Sequence, residues 1–91
     1  MNKLEIAREN INRIDREIAK LFEERMREVE EVIAYKLENN LEILDSGREK
    51  EVIDRNSKLL KNENLKNYYI DFLENMMRIS KDYQKDILLK K

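Results

Sequence analysis

Three basic residues stand where a helical stripe should be apolar. Steps of three and four from Leu4 reach Arg8, Ile11, Ile14, Ile18, Leu21, Arg25, Val29, Val32 and Lys36. That is the spacing of an amphipathic helix with one buried face. Its only interruptions are Arg8, Arg25 and Lys36, all cationic. A solvated face would carry both signs, and a purely structural seam would carry none or one. Like charges on an inward stripe repel and desolvate unless an anion meets them.

Other polar groups recur at inward positions. Ser80 and Gln84 lie one turn apart on the stripe Tyr68, Tyr69, Phe72, Leu73, Met76, Met77, Ser80, Gln84, Ile87, Leu88. Asp45 and Glu49 open a further helical segment. Each has a structural reading of its own. A stripe arginine can snorkel, a helical serine can bond back to its own backbone, and Asp-x-x-Arg-Glu can be a cap. Together they supply cations, a hydroxyl, an amide and two carboxylates, the profile of a polar pocket inside a helical bundle.

The elements that must position these groups are long helices. The 91 residues include no proline, no cysteine and one glycine. Ala, Glu, Lys, Leu and Arg make up about half the chain, a helix-rich composition for a single domain over 1–91. The periodicity predicts a first helix from about residue 3 to 38, and 38–44 reads as a loop. A second helix runs to about Lys61, capped by Asp45 or Ser46, with Ser46 and Glu49 at capping-box spacing. Asn62-Glu63-Asn64 reads as a turn with Asn64 as cap, and a third helix follows from about 65 to 89.

Composition also excludes chemistry. Without histidine or cysteine there is no imidazole base, thiol nucleophile or thiolate metal site. The net charge of −1 gives no global field for nucleic acid or an acidic membrane. No apolar run approaches a membrane span, and the charged start lacks a signal-peptide core; the expected location is the cytoplasm.

Spacing limits how the cations converge. Arg8 and Arg25 are 17 residues apart, about 25 Å along one helix. Arg25 and Lys36 are 11 apart, about 16 Å, and long side chains can lean toward a point between them. A first helix of roughly 50 Å overhangs a compact 91-residue globule. Pairing it antiparallel with a second copy, centred near Ile18 to Lys20, sets Arg8 opposite residue 30. Two equivalent sites then form, each with three cations from two chains. Their fitting guest is a small dicarboxylate, gripped bidentately by guanidinium.

These residues resemble the all-helical class of chorismate mutases over nearly the whole chain. The resemblance rests on Arg8-Glu9-Asn10-Ile11 with Ile14-Asp15, then Arg25, then Val32-Ile33-Ala34-Tyr35-Lys36. Asp45-Ser46-Gly47-Arg48-Glu49 follows, and then Ser80 with Gln84. No single motif is specific; the ordered set is. Ser46 and Gly47 depart from the family's usual cap, and Asn40 and Glu42 from its usual loop.

The resemblance implies three helices per chain, entwined as a six-helix homodimer, and the intramolecular rearrangement of chorismate to prephenate without cofactor or metal. It implies that Arg8 of one copy and Arg25 of the other hold substrate carboxylates, with Ser80 assisting. Lys36 and Gln84 would address the ether oxygen, Asp45 and Glu49 the ring hydroxyl, and Arg48 an orienting charge. Some small family members are activated by a second shikimate-pathway enzyme. The rival readings are an isochorismate pyruvate-lyase on the same fold and a non-enzymatic helical dimerisation module.

Overall fold

The computed structural model describes residues 1–90 and contains three α-helices joined by short connections. Helix α1 spans Lys3–Glu38, α2 spans Ser46–Ser57 and α3 spans Lys66–Leu89. The fold is all-α, with no strand among the described residues.

Local chemistry sets the boundaries. Asn2 caps α1: its side chain accepts from the Glu5 N–H at 2.8 Å and donates to the Glu5 carboxylate at 3.2 Å. This pair satisfies one end-of-helix donor and fixes the first turn. At the other end Asn40 adopts φ 55°, a left-handed conformation that asparagine tolerates. The Leu41 N–H then reaches back to the Lys36 carbonyl at 2.8 Å, closing the helix as a Schellman turn.

Helix α2 starts where the acidic cap places it but ends early. Asp45 is the N-cap, accepting from the Arg48 N–H at 3.0 Å; Ser46 and Glu49 do not form a capping box. The expected continuation to Lys61 is not found. The helix stops at Ser57, which is buried and turns its hydroxyl onto the Asp54 carbonyl. Such back-bonding competes with the helical ladder, and the Leu59 N–H closes the end on the Asn56 carbonyl. Asn62, not Asn64, caps the next element: its side chain accepts from the Asn64 N–H at 3.0 Å. A 3-10 turn at Glu63–Leu65 leads from there into α3.

The core lies where the second half of α1 crosses α3. Val29 and Ile33 pack from α1, and Leu73 and Met77 from α3. The expected stripe on α1 included Val32, which is 45% exposed, whereas Ile33 is 2% exposed. The reason is geometric. A strict three–four stripe slips about 20° per heptad against a straight helix, so after four heptads the buried line has moved to the i, i+4 row of Val29 and Ile33.

Among the described residues these four are the buried apolar side chains. Along α1, Leu4, Ile6, Ile11, Ile14, Ile18, Leu21 and Phe22 all remain exposed. The molecule is extended, 55 × 27 × 15 Å with a radius of gyration of 16.6 Å. No helix among the described residues is long and apolar enough to cross a membrane.

Candidate active site

Two cations of α1 point toward α3, and neither meets a carboxylate there. Arg25 and Ser80 are held together by a hydrogen bond from the guanidinium to the hydroxyl oxygen. Ser80 in turn donates to the Met76 carbonyl at 2.9 Å, so the hydroxyl is fixed from both sides. One turn on, Lys36 Nζ donates to Gln84 Oε1 at 3.2 Å and to the Ile43 carbonyl at 2.8 Å. Gln84 is buried, and its amide nitrogen donates to the Ser80 carbonyl at 3.3 Å. The fully buried side-chain polar atoms among the described residues all have partners. The Ser80–Gln84 spacing thus aims a hydroxyl and an amide at two cations from the facing helix.

These groups line one cavity of about 190 Å³ between α1, α2 and α3. Its walls also carry Asp45, Arg48, Glu49 and Lys81, with Val29, Val32, Ile43, Val52 and Met77 as apolar surface. Of the eight residues expected from the sequence, the fold therefore brings together Arg25, Lys36, Asp45, Arg48, Glu49, Ser80 and Gln84. Arg8 is not among them. It is exposed near the start of α1, 17 residues from Arg25, about 25 Å along the helix.

The electrostatics of the cavity are one-sided. Arg25, Lys36, Arg48 and Lys81 line the cavity with two carboxylates, Asp45 and Glu49, so cations outnumber anions on its walls. Asp45 already caps α2, and Glu49 is paired with Lys81 at 2.8 Å. Arg48 turns outward to Glu51 at 3.2 Å, on an exposed face. Burial, and secondly the nearby Arg48, pushes the Arg25 guanidinium below its ordinary pKa. A cation so placed is poorly solvated and gains from an anion.

Two lining groups escaped the sequence reading. Ile43 enters through its backbone carbonyl, which no side-chain pattern announces. Lys81 did leave a signal. Met77, Lys81 and Gln84 follow a four–three spacing, a second inward line beside Leu73, Met77, Ser80 and Gln84.

Three helices with a cation-rich cavity at their crossing define the class to which the chain compares. The family described as chorismate mutase type II matches residues 7–85, and the chain belongs to that family. Among curated proteins it is similar to the bifunctional chorismate mutase/prephenate dehydratase of Buchnera aphidicola subsp. Acyrthosiphon pisum (strain APS). The two are 44% identical over 69 residues, which is 76% of this chain and 18% of that protein. The chain thus spans less than a fifth of its relative's length. No solved structure matches it.

Proposed function

We propose that this chain rearranges chorismate to prephenate and does so as a dimer. The observation that carries the reading is the pairing of Arg25 and Lys36 with neutral oxygens only. Their partners are a hydroxyl, an amide and a backbone carbonyl, so two buried-side cations await an anionic guest. Chorismate is a dianion, and Arg25 offers a guanidinium fork to one of its two carboxylates.

The reaction is unimolecular: the ether C–O bond breaks as a C–C bond forms between the enolpyruvyl methylene and the ring. No proton is transferred and no intermediate attaches to the protein. What the protein supplies is conformational restraint and charge stabilisation. Arg25, steadied by Ser80, grips one carboxylate. Lys36 Nζ keeps one N–H beyond those given to Gln84 and Ile43, and the Gln84 amide keeps one beyond that given to Ser80; turned to a single ether oxygen, both donate to it. That oxygen gains negative charge as its bond lengthens, so these donors favour the transition state over the ground state. Asp45 and Glu49 receive the ring hydroxyl, and Arg48 orients the guest from the rim.

The second carboxylate needs a further cation, and Arg8 of a second copy fits it. An open apolar cavity of about 630 Å³ lies beside Arg25, lined by Ile18, Leu21, Phe22, Phe72, Met76 and Ile79. The exposed apolar line of α1 has the chemistry to fill the same cavity on another chain. Antiparallel pairing about Ile18 to Lys20 would then bring Arg8 opposite the stretch between Arg25 and Lys36. Four buried apolar residues among the described ones make a small core for a chain of this length, and such a pairing would enlarge it.

The test is direct. Purified protein incubated with chorismate should consume it and yield prephenate, identified by NMR. Pyruvate released from isochorismate, with chorismate left unchanged, would assign lyase chemistry instead, and no turnover of either by a folded, dimeric protein would overturn the reading.

A further inference from the structure

Five ion pairs are present among the described residues, and four are exposed neighbours on a single helix. The fifth is different. Lys81 of α3 meets Glu49 of α2 at 2.8 Å, both side chains less than a third exposed, at the wall of the cationic cavity. Among the described residues it is the ion pair that joins two helices. It engages Oε1 of Glu49, and the other oxygen has no hydrogen-bond partner among those residues.

We propose that Lys81 is a positioning residue that holds Glu49 away from Arg25 and Lys36, keeping those two cations free for the guest's carboxylate and ether oxygens. This rests on the chorismate reading of the site. The physical reason is competition. Glu49 is a carboxylate on a rotatable stem, on the wall of a cavity where Arg25 and Lys36 have only neutral partners. Left without Lys81, it would find its best partner in Arg25 or Lys36 and act as an internal anion. Pairing with Lys81 satisfies it at the wall and leaves its second oxygen for a guest hydroxyl. The ammonium therefore works by occupying a carboxylate, not by touching the substrate.

The two routes give different signatures. If Lys81 acts through Glu49, removing its charge matters only while position 49 carries a carboxylate. If it binds the dianion itself, the loss is the same with either residue at 49. Four proteins form the cycle: wild type, Lys81→Met, Glu49→Gln and the double variant. Binding of a non-reacting oxabicyclic dicarboxylate, shaped like the folded substrate, is measured by calorimetry, beside kcat and KM for chorismate.

The expected result is that Lys81→Met weakens dicarboxylate binding about three- to tenfold, as a partly buried ion pair permits. KM should rise more than kcat falls, and Lys81→Arg should restore binding. In the Glu49→Gln background the same change should have no effect on binding. Equal weakening in both backgrounds would show a direct contact with the guest and overturn the proposal. No weakening in either would make the pair a structural clamp and overturn it as well. Should Lys81→Met lower the folded population, Lys81→Gln provides the same comparison. Dicarboxylate binding by wild type without chorismate turnover would sink the functional reading while the cycle still judges Lys81.

Discussion

The two halves of α1 are built from the same alternation of apolar and charged residues and meet different fates. From Arg25 onward the helix packs on α3, buries Val29 and Ile33, and presents Arg25 and Lys36 to a shared cavity. Before that, every residue from Met1 to Glu24 is exposed, including Ile11, Ile14 and Ile18. One half finds its neighbours within the chain, and the other displays an equally apolar face with nothing of its own to cover it. Amphipathic periodicity states that a face is to be buried; it does not state in which chain.

The contrast predicts that substitutions in the two halves fail in different ways. A charge on the first half, Ile14→Asp, should cost several kcal/mol by burying an unpaired carboxylate in the proposed dimer. Sedimentation should show dissociation, and helicity by circular dichroism should melt at lower temperature. A variant that stays dimeric with unchanged melting would remove this face from the interface. In the second half, Lys36→Ala should leave the proposed dimer folded while turnover falls about 10²–10³-fold, the usual loss for a preset donor at a developing oxyanion, the role proposed for Lys36. Unchanged turnover would take Lys36 out of the chemistry.

A third measurement joins the halves. Arg8→Ala and Arg25→Ala proteins, each inactive, should regain about a quarter of wild-type activity when mixed and allowed to exchange, because random pairing makes half the dimers mixed and one site in each is intact. Demonstrated exchange without recovery would separate Arg8 from the site. The smallest change concerns pH. Gln84→Glu keeps the shape but places a carboxyl beside Lys36, and a carboxyl donates to the ether oxygen only while protonated. Activity of this variant should rise as pH falls, against a flatter wild-type profile; parallel profiles would mean that Gln84 does not face that oxygen.

Much of the fold was legible because helix chemistry is local. The start of α2 at Asp45 and the bounds of α1 and α3 follow from caps and periodicity. The end of α2 did not, because Ser57 reads in sequence as an ordinary helix residue until burial turns its hydroxyl onto the backbone. The cavity was legible for the same reason: polar groups set into apolar lines at Arg25, Lys36, Ser80 and Gln84 have few other uses. Lys81 left only its spacing from Met77 and Gln84, weak for one lysine among many, and the approach of α2 gives it a partner. The carbonyl of Ile43 had no sequence signal, since any residue would supply one.

That carbonyl fixes more than the loop. An ammonium holds three hydrogens at tetrahedral angles, and on Lys36 two of them are directed, one at Ile43 and one at Gln84. With two directions set, the third is determined by valence geometry alone. A flexible side chain, ordinarily free to swivel on its stem, becomes a fixed pointer able to recognise one additional lone pair.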